Sequence, residues 1–129
     1  MAELNPTQYT YLTQLDIAFY ADEERLRAYG HDETEDLVFP PELVLVPKSA
    51  EDISKILTYC HAEGIAVTPA GARTGLSGGC LPIHGGVLVS MEKFNRILHI
   101  DTDNLQVITE PGVITEVLQE SVKRTFWIL

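Results

Sequence analysis

Six of the nine glycines in this chain fall between positions 71 and 86, and four of them punctuate Gly71-Ala72-Arg73-Thr74-Gly75-Leu76-Ser77-Gly78-Gly79. Glycine carries no Cβ, so such a loop can take positive φ and bring its main chain close to a ligand. Successive N–H groups can then turn inward and form a concave anion site. Thr74 and Ser77 add hydroxyl donors, and Arg73 is the only lysine or arginine between Lys55 and Lys93. The chemistry this combination serves is the holding of phosphate. It is not a P-loop, because no Gly-Lys-Ser/Thr closes it. Its glycine steps of four, three and one also differ from the Gly-x-Gly-x-x-Gly of dinucleotide-binding units. On spacing alone, a glycine-rich surface connection with no ligand stays open beside the phosphate reading.

The rest of the molecule repels anions. Nine Lys and Arg against 19 Asp and Glu give a formal charge of −10 over 129 residues. Nucleic acid and anionic membrane surfaces are therefore disfavoured as partners, and any bound anion needs a local device. Hydrophobic residues at 45% and charged residues at 22% suit one soluble globular domain rather than a disordered chain. Two cysteines, Cys60 and Cys80, make no disulfide framework, and His31, His61, His84 and His99 show no metal-ligand spacing with them. The start, Met1-Ala2-Glu3-Leu4-Asn5-Pro6, lacks the basic and apolar regions of a signal peptide. The expectation is a reduced, cytoplasmic chain with no transmembrane segment and no metal.

The elements that must position the loop read as follows. Asn5-Pro6 opens a helix over 5–19, with Tyr9, Leu12, Leu15 and Phe19 at helical spacing. A short helix over 22–28 and an exposed acidic loop follow, ending at Pro40-Pro41. Leu43-Val44-Leu45-Val46 is a buried strand. Ser49 caps a helix whose apolar face is Ile53, Ile56, Leu57 and Cys60, whose polar side pairs Glu51 with Lys55, and which Gly64 ends from a left-handed position. Ile65-Ala66-Val67-Thr68 is a second strand, stopped by Pro69. Strand, helix and strand with short connections predict a parallel, right-handed β-α-β unit. The glycine loop then follows the C-terminal end of a parallel strand, where α/β proteins bind ligands. Val87-Leu88-Val89 is a third buried strand. The segments 97–100 and 105–109 flank Asp101-Thr102-Asp103-Asn104 as a hairpin. Thr115 caps a last helix with Val117, Leu118 and Val122, and Glu120 and Arg124 four apart.

Other candidates have plainer readings. Cys60 belongs to the core, and Cys80 adjoins the loop. His99 is a strand residue with an exposed or hydrogen-bonded side chain, and the aromatics at 9, 11, 19 and 20 pack. Asp32-Glu33-Thr34-Glu35-Asp36 lacks the glycine and twelve-residue pattern of a calcium loop and is expected to be solvated. Phe126-Trp127-Ile128-Leu129 is an apolar terminus that either docks on the core, leads into more protein, or offers a surface for self-association or a partner.

Taken in order, Pro69 to Gly79, Gly86-Val87-Leu88-Val89-Ser90-Met91, Phe94-Asn95-Arg96-Ile97 and Glu110-Pro111-Gly112-Val113 resemble the FAD-binding domain of FAD-linked oxidases. That superfamily is typified by vanillyl-alcohol oxidase and p-cresol methylhydroxylase, and the similarity is greatest to the branch of the glycolate oxidase D-subunit and the D-lactate dehydrogenases. Pro40-Pro41-Glu42-Leu43-Val44-Leu45-Val46-Pro47 fits too, so the resemblance runs from about residue 22 onward. It implies an α+β fold, the first of two subdomains that clasp FAD, with a small parallel β-α-β core and an added hairpin. The single domain 1–129 then divides into a helical and loop lead-in (1–40) and the FAD-binding subdomain (41–129).

The resemblance further implies that Gly71, Ala72, Arg73, Thr74, Gly75, Leu76, Ser77 and Gly78 wrap the FAD pyrophosphate. Some relatives attach FAD covalently through a histidine at the place of Thr74; threonine implies non-covalent FAD. Arg73 stands where the family usually has glycine. Three accounts of it are open: a strained positive φ, a guanidinium paired with phosphate, or a solvated side chain. Family members run to several hundred residues, and their catalytic base and substrate groups lie beyond this point. The chain therefore resembles an N-terminal fragment of a flavin-dependent enzyme oxidising a small 2-hydroxy acid, with no catalytic residue of its own and inactive by itself. The alternatives are a non-enzymatic binding or interaction module, and an FAD-dependent reductase of the UDP-N-acetylenolpyruvylglucosamine type.

Overall fold

Two stretches of the chain, Leu43–Val46 and Val87–Ser90, are buried along their whole length, and the architecture is organised around them. The computed structural model describes residues 3–34 and 36–125. The elements in chain order are α1 (Pro6–Thr13), β1 (Ala18–Tyr20), α2 (Glu23–Tyr29), β2 (Leu43–Val46), α3 (Ala50–Glu63), β3 (Val67–Ala70), β4 (Val87–Ser90), β5 (Ile97–Asp101), β6 (Gln106–Thr109) and α4 (Thr115–Thr125). A four-stranded sheet has the order β1-β2-β4-β3, and β5 with β6 forms a separate hairpin. β4 runs parallel to both β2 and β3, with Leu45 opposite Val89 and Thr68 opposite Leu88, whereas β1 is antiparallel to β2.

The sheet is covered on both faces, which is why its central strands read as unbroken apolar runs. Alternate residues go opposite ways. Leu43, Leu45, Val87 and Val89 join Leu12, Ile17, Ile56 and Cys60 in one cluster. Val44, Val46 and Leu88 join Ala70 in the other, against Leu26 and Tyr29 of α2. The fold is thus the mixed α+β arrangement with parallel strands and an added hairpin that the motifs imply. The parallel strands β2 and β3 flank α3 in sequence but are separated in space by β4, because the two most apolar strands take the centre.

Local signals set several termini. The Asn5 side chain accepts from the Gln8 N–H at 2.8 Å, and the Gln8 side chain accepts from the Asn5 N–H at 3.0 Å, a reciprocal cap with Pro6 as the first helical residue. Ser49 Oγ accepts from the Asp52 N–H at 3.1 Å, and Gly64, at φ 67°, ends α3 in the left-handed conformation. Glu51 and Lys55 approach to 3.5 Å on the exposed side of α3.

Five expectations are corrected. The first helix stops at Thr13 rather than running to residue 19. Asp16 turns the chain at φ 57°, and residues 18–20 pair with β2, covering an edge that would otherwise be left unpaired. The second strand covers 67–70 rather than 65–68 and contains Pro69, which an edge strand tolerates because it has a side without a ladder. Leu57 is 47% exposed, because the buried face of α3 rotates toward Tyr59, whose ring stacks on Tyr11 at 3.7 Å. Thr115 is the first residue of α4 rather than its cap, and within that helix Glu120 and Lys123 approach to 3.1 Å. Asp32 in the acidic loop is buried rather than solvated. The apolar run 126–129 lies outside the described residues.

In the hairpin, Asp101 Oδ1 accepts from the N–H groups of Asp103 and Asn104 at 3.1 and 3.0 Å, closing the turn. Arg96 clamps its open end by donating from Nε and Nη2 to Glu110 Oε1 at 3.1 and 2.8 Å. No described helix is long and apolar enough to cross a membrane.

Candidate cofactor site

The parallel strands β3 and β4 end together at Ala70 and Ser90, and the glycine loop leaves the sheet from that end. Few of the loop's main-chain groups are used within the protein. The carbonyls of Gly75 and Gly78 accept from the N–H groups of Glu33 and Leu81, both at 3.1 Å. Among the described residues, no N–H from Ala72 to Ser77 finds a protein acceptor. A row of donors is left for something else, and two of the loop's carbonyls, those of Gly75 and Gly78, are tied to the protein.

The glycines separate into two sets. Gly78 takes a φ of 71°, which the fold itself demands. A Cβ built on Gly75 or Gly79 meets nothing within 4 Å, and neither residue is left-handed. The chain's own packing gives no reason for glycine at 75 and 79. A ligand that must lie against bare main chain does give one.

Two grooves flank the loop and share Gly71, Ala72 and Arg73. One, of about 360 Å³, runs along Thr74 to Ser77, Gly79, Cys80 and Asp32. The other, of about 420 Å³, is walled by Tyr29, Ser90, Glu92, Asn95 and the segment from Gly112 to Val117. All eight expected site residues except Gly78 line one or both grooves. The second wall was missed by sequence reasoning. Its signal lay in the strings Phe94-Asn95-Arg96-Ile97 and Glu110-Pro111-Gly112-Val113, which carried the resemblance but offered no ionisable or glycine pattern to interpret.

Arg73 takes φ 59°, the strained option among the three, which costs a non-glycine residue about 1–2 kcal/mol. Its side chain is half-buried, neither free in solvent nor spread along the loop. The guanidinium donates to the Ala28 carbonyl and lies 4.1 Å over the Tyr29 ring. The Tyr29 hydroxyl donates to Glu92 Oε1 at 2.5 Å, and Ser90 Oγ donates to the same oxygen at 2.8 Å. Burial first, and the Glu92 carboxylate second, push the Tyr29 phenol up to about 12. It is a permanent donor over the working pH range.

Asp32 accepts from the Thr34 N–H at 2.8 Å and lies 3.9 Å from Cys80 Sγ. The hydrogen bonding from Thr34 holds its carboxyl below the usual range. Burial, with the negative charge of Asp32 next, pushes the Cys80 thiol up. Cys60, in the core, is pushed up to about 11 by burial alone. A raised thiol pKa means less thiolate at pH 8, so both react slowly, with rates that climb as pH rises. Maleimide at pH 8 is expected to label only the part-exposed Cys80 in the folded chain and both thiols in urea. Mass spectrometry showing Cys60 labelled first in the native protein would contradict this burial pattern.

Parallel strands thus deliver a glycine loop with unspent amides, bordered by two grooves, in an α+β domain. Residues 41–129 match the model of the FAD binding domain family, and the chain belongs to that family. It is 38% identical over 87 residues to glycolate oxidase subunit GlcD of Bacillus subtilis, covering 67% of this chain and 18% of that one. It is 35% identical over 99 residues to D-2-hydroxyglutarate dehydrogenase of Stutzerimonas stutzeri, covering 77% and 21%. Its fold superposes on p-cresol methylhydroxylase with a TM-score of 0.77 at 18% identity, over 95% of this chain and 26% of that one. The fold is that of the FAD-binding domain of the vanillyl-alcohol oxidase type, and FAD is its cofactor. The chain spans about a fifth of the length of these curated relatives.

Proposed function

We propose that this chain is the FAD-binding portion of a flavin-dependent oxidoreductase acting on small 2-hydroxy acids, and that the loop from Gly71 to Gly78 holds the FAD diphosphate. The observation that carries the reading is the row of six N–H groups, from Ala72 to Ser77, that no acceptor among the described residues satisfies. Gly71, Ala72, Arg73, Gly75, Leu76 and Gly78 contribute main chain, and Thr74 and Ser77 contribute hydroxyls as well. Amides converging on two phosphate charges form charge-assisted hydrogen bonds, about twice as strong as neutral ones. Thr74 carries no imidazole, so FAD is held without a covalent bond. Bound FAD supplies the redox chemistry, and this segment supplies grip and orientation. The glycolate oxidase and D-2-hydroxyglutarate dehydrogenase relatives support a 2-hydroxy acid over the sugar-nucleotide substrate of the reductase alternative.

The test is titration of the chain with ADP and FAD, read by amide chemical shifts so that weak binding by part of a clasp is still measured. Gly75→Asp is expected to lower affinity roughly 100- to 1,000-fold, since a carboxylate about 4 Å from a phosphate charge costs about 4 kcal/mol near a surface. Its melting temperature should not move, because the new side chain enters open space. Ser77→Ala is expected to cost about tenfold. Equal ADP affinity for Gly75→Asp and the parent would end the diphosphate assignment.

A further inference from the structure

We propose that Arg73 is a positioning residue, a strut that ties the glycine loop to the C-terminal end of α2 and thereby makes residues 22–30 part of the cofactor site. The proposal rests on the reading that the loop holds the diphosphate. It reaches beyond it to a helix that precedes the matched segment 41–129.

The loop itself has few internal ties. Its N–H groups from Ala72 to Ser77 have no acceptor among the described residues, and Thr74, Gly75, Leu76 and Ser77 are exposed. A loop of this kind loses conformational entropy when it closes on a ligand, unless something holds it beforehand. Arg73 is the side chain placed to do so. One edge of its guanidinium donates to the carbonyl of Ala28, one of the last carbonyls of α2, which lack helical partners and carry the negative end of the helix dipole. Its face lies on the Tyr29 ring. That ring is itself fixed, because its hydroxyl donates to Glu92, which also accepts from Ser90 at the end of β4. The loop leaves from β3, the neighbour of β4, so the route from Arg73 through Tyr29 and Glu92 to Ser90 returns to the sheet edge where the loop starts.

A planar fork is required for this arrangement. Arginine donates in its plane while stacking through its face; lysine, a point charge, cannot do both. Direct phosphate pairing makes the opposite demand, since lysine also binds phosphate well. The left-handed φ of Arg73 fits the strut as well, because a residue held by its side chain can keep a conformation that it would otherwise leave.

The test uses the 129-residue chain with and without ADP. Backbone order parameters for residues 72–77 are compared in the parent, Arg73→Gly, Arg73→Lys, Tyr29→Ala and Tyr29→Phe, with melting curves to confirm folding. The strut predicts that order falls from about 0.85 toward 0.6 in the first three variants and is largely kept in Tyr29→Phe, which retains the ring. ADP affinity should fall about tenfold in the same three, and Arg73→Gly combined with Tyr29→Ala should add little to either alone. If Arg73→Lys keeps the parent's order and affinity, charge alone suffices and the strut is overturned; unchanged order in Arg73→Gly overturns it too. Should Tyr29→Ala fail to fold, the two Arg73 variants decide. Loss of loop order with ADP affinity indifferent to both Arg73→Lys and Gly75→Asp would uphold the strut and remove the diphosphate reading instead.

Discussion

Gly112→Ala is expected to lower the stability of the folded chain by about 3 kcal/mol or more, and its melting temperature by about 10 °C or more. The reason is contact with main chain rather than with a movable side chain. A Cβ on Gly112 would sit 2.1 Å from the Met91 carbonyl oxygen and 2.7 Å from that of Phe94. Both belong to a tight turn in which the Phe94 N–H donates to Met91 at 2.9 Å, and the Gly112 N–H itself donates to Phe94 at 2.7 Å. Relieving the clash therefore means giving up backbone hydrogen bonds that bring the 110–114 segment against the end of β4. Gly112, Val113 and Ile114 wall the larger groove, so whatever fraction stays folded should also bind FAD more weakly. Thermal melting followed by far-UV circular dichroism is the measurement. A variant melting within about 2 °C of the parent would show that the turn can open at little cost.

The second large effect contrasts two neighbours on α3. Ile56→Ala is expected to cost about 2–5 kcal/mol, and Leu57→Ala less than about 1 kcal/mol. Ile56 is fully buried between Leu12, Ile17, Leu43 and Leu45, so truncation leaves a cavity under the sheet. Leu57 is 47% exposed and lies past the edge of that face. Urea unfolding should show the midpoint shifting for Ile56→Ala with an unchanged slope, and hardly at all for Leu57→Ala. Equal costs for the two would mean that α3 sits rotated from the orientation described.

The contrast also shows why sequence reading stopped where it did. Periodicity places Ile53, Ile56, Leu57 and Cys60 within one arc, but the centre of the arc depends on what packs against it. Here Tyr59 stacks on Tyr11 from α1, and the helix turns toward that contact. Phe19 fails for a similar reason. Its spacing from Leu15 suits a helix, yet the free edge of β2 captures residues 18–20 as a strand. Pro69 signals a stop because proline cannot donate to a ladder, and only the strand order shows that β3 has an edge without one. Asp32 stands among acidic neighbours whose composition suits a solvated loop, whereas the return of the chain past Cys80 buries it.

What the residues determine unaided is local: the caps at Asn5 and Ser49, the left-handed stop at Gly64, the buried strands and the glycine loop. Each of these depends on atoms a few bonds apart, so composition and order are enough. Tertiary structure decided which way α3 faces, which strand stands between β2 and β3, and what Arg73 does. That last point turns on Ala28 and Tyr29, more than forty residues earlier in the chain, which only the closure of the sheet between them brings within reach of the guanidinium.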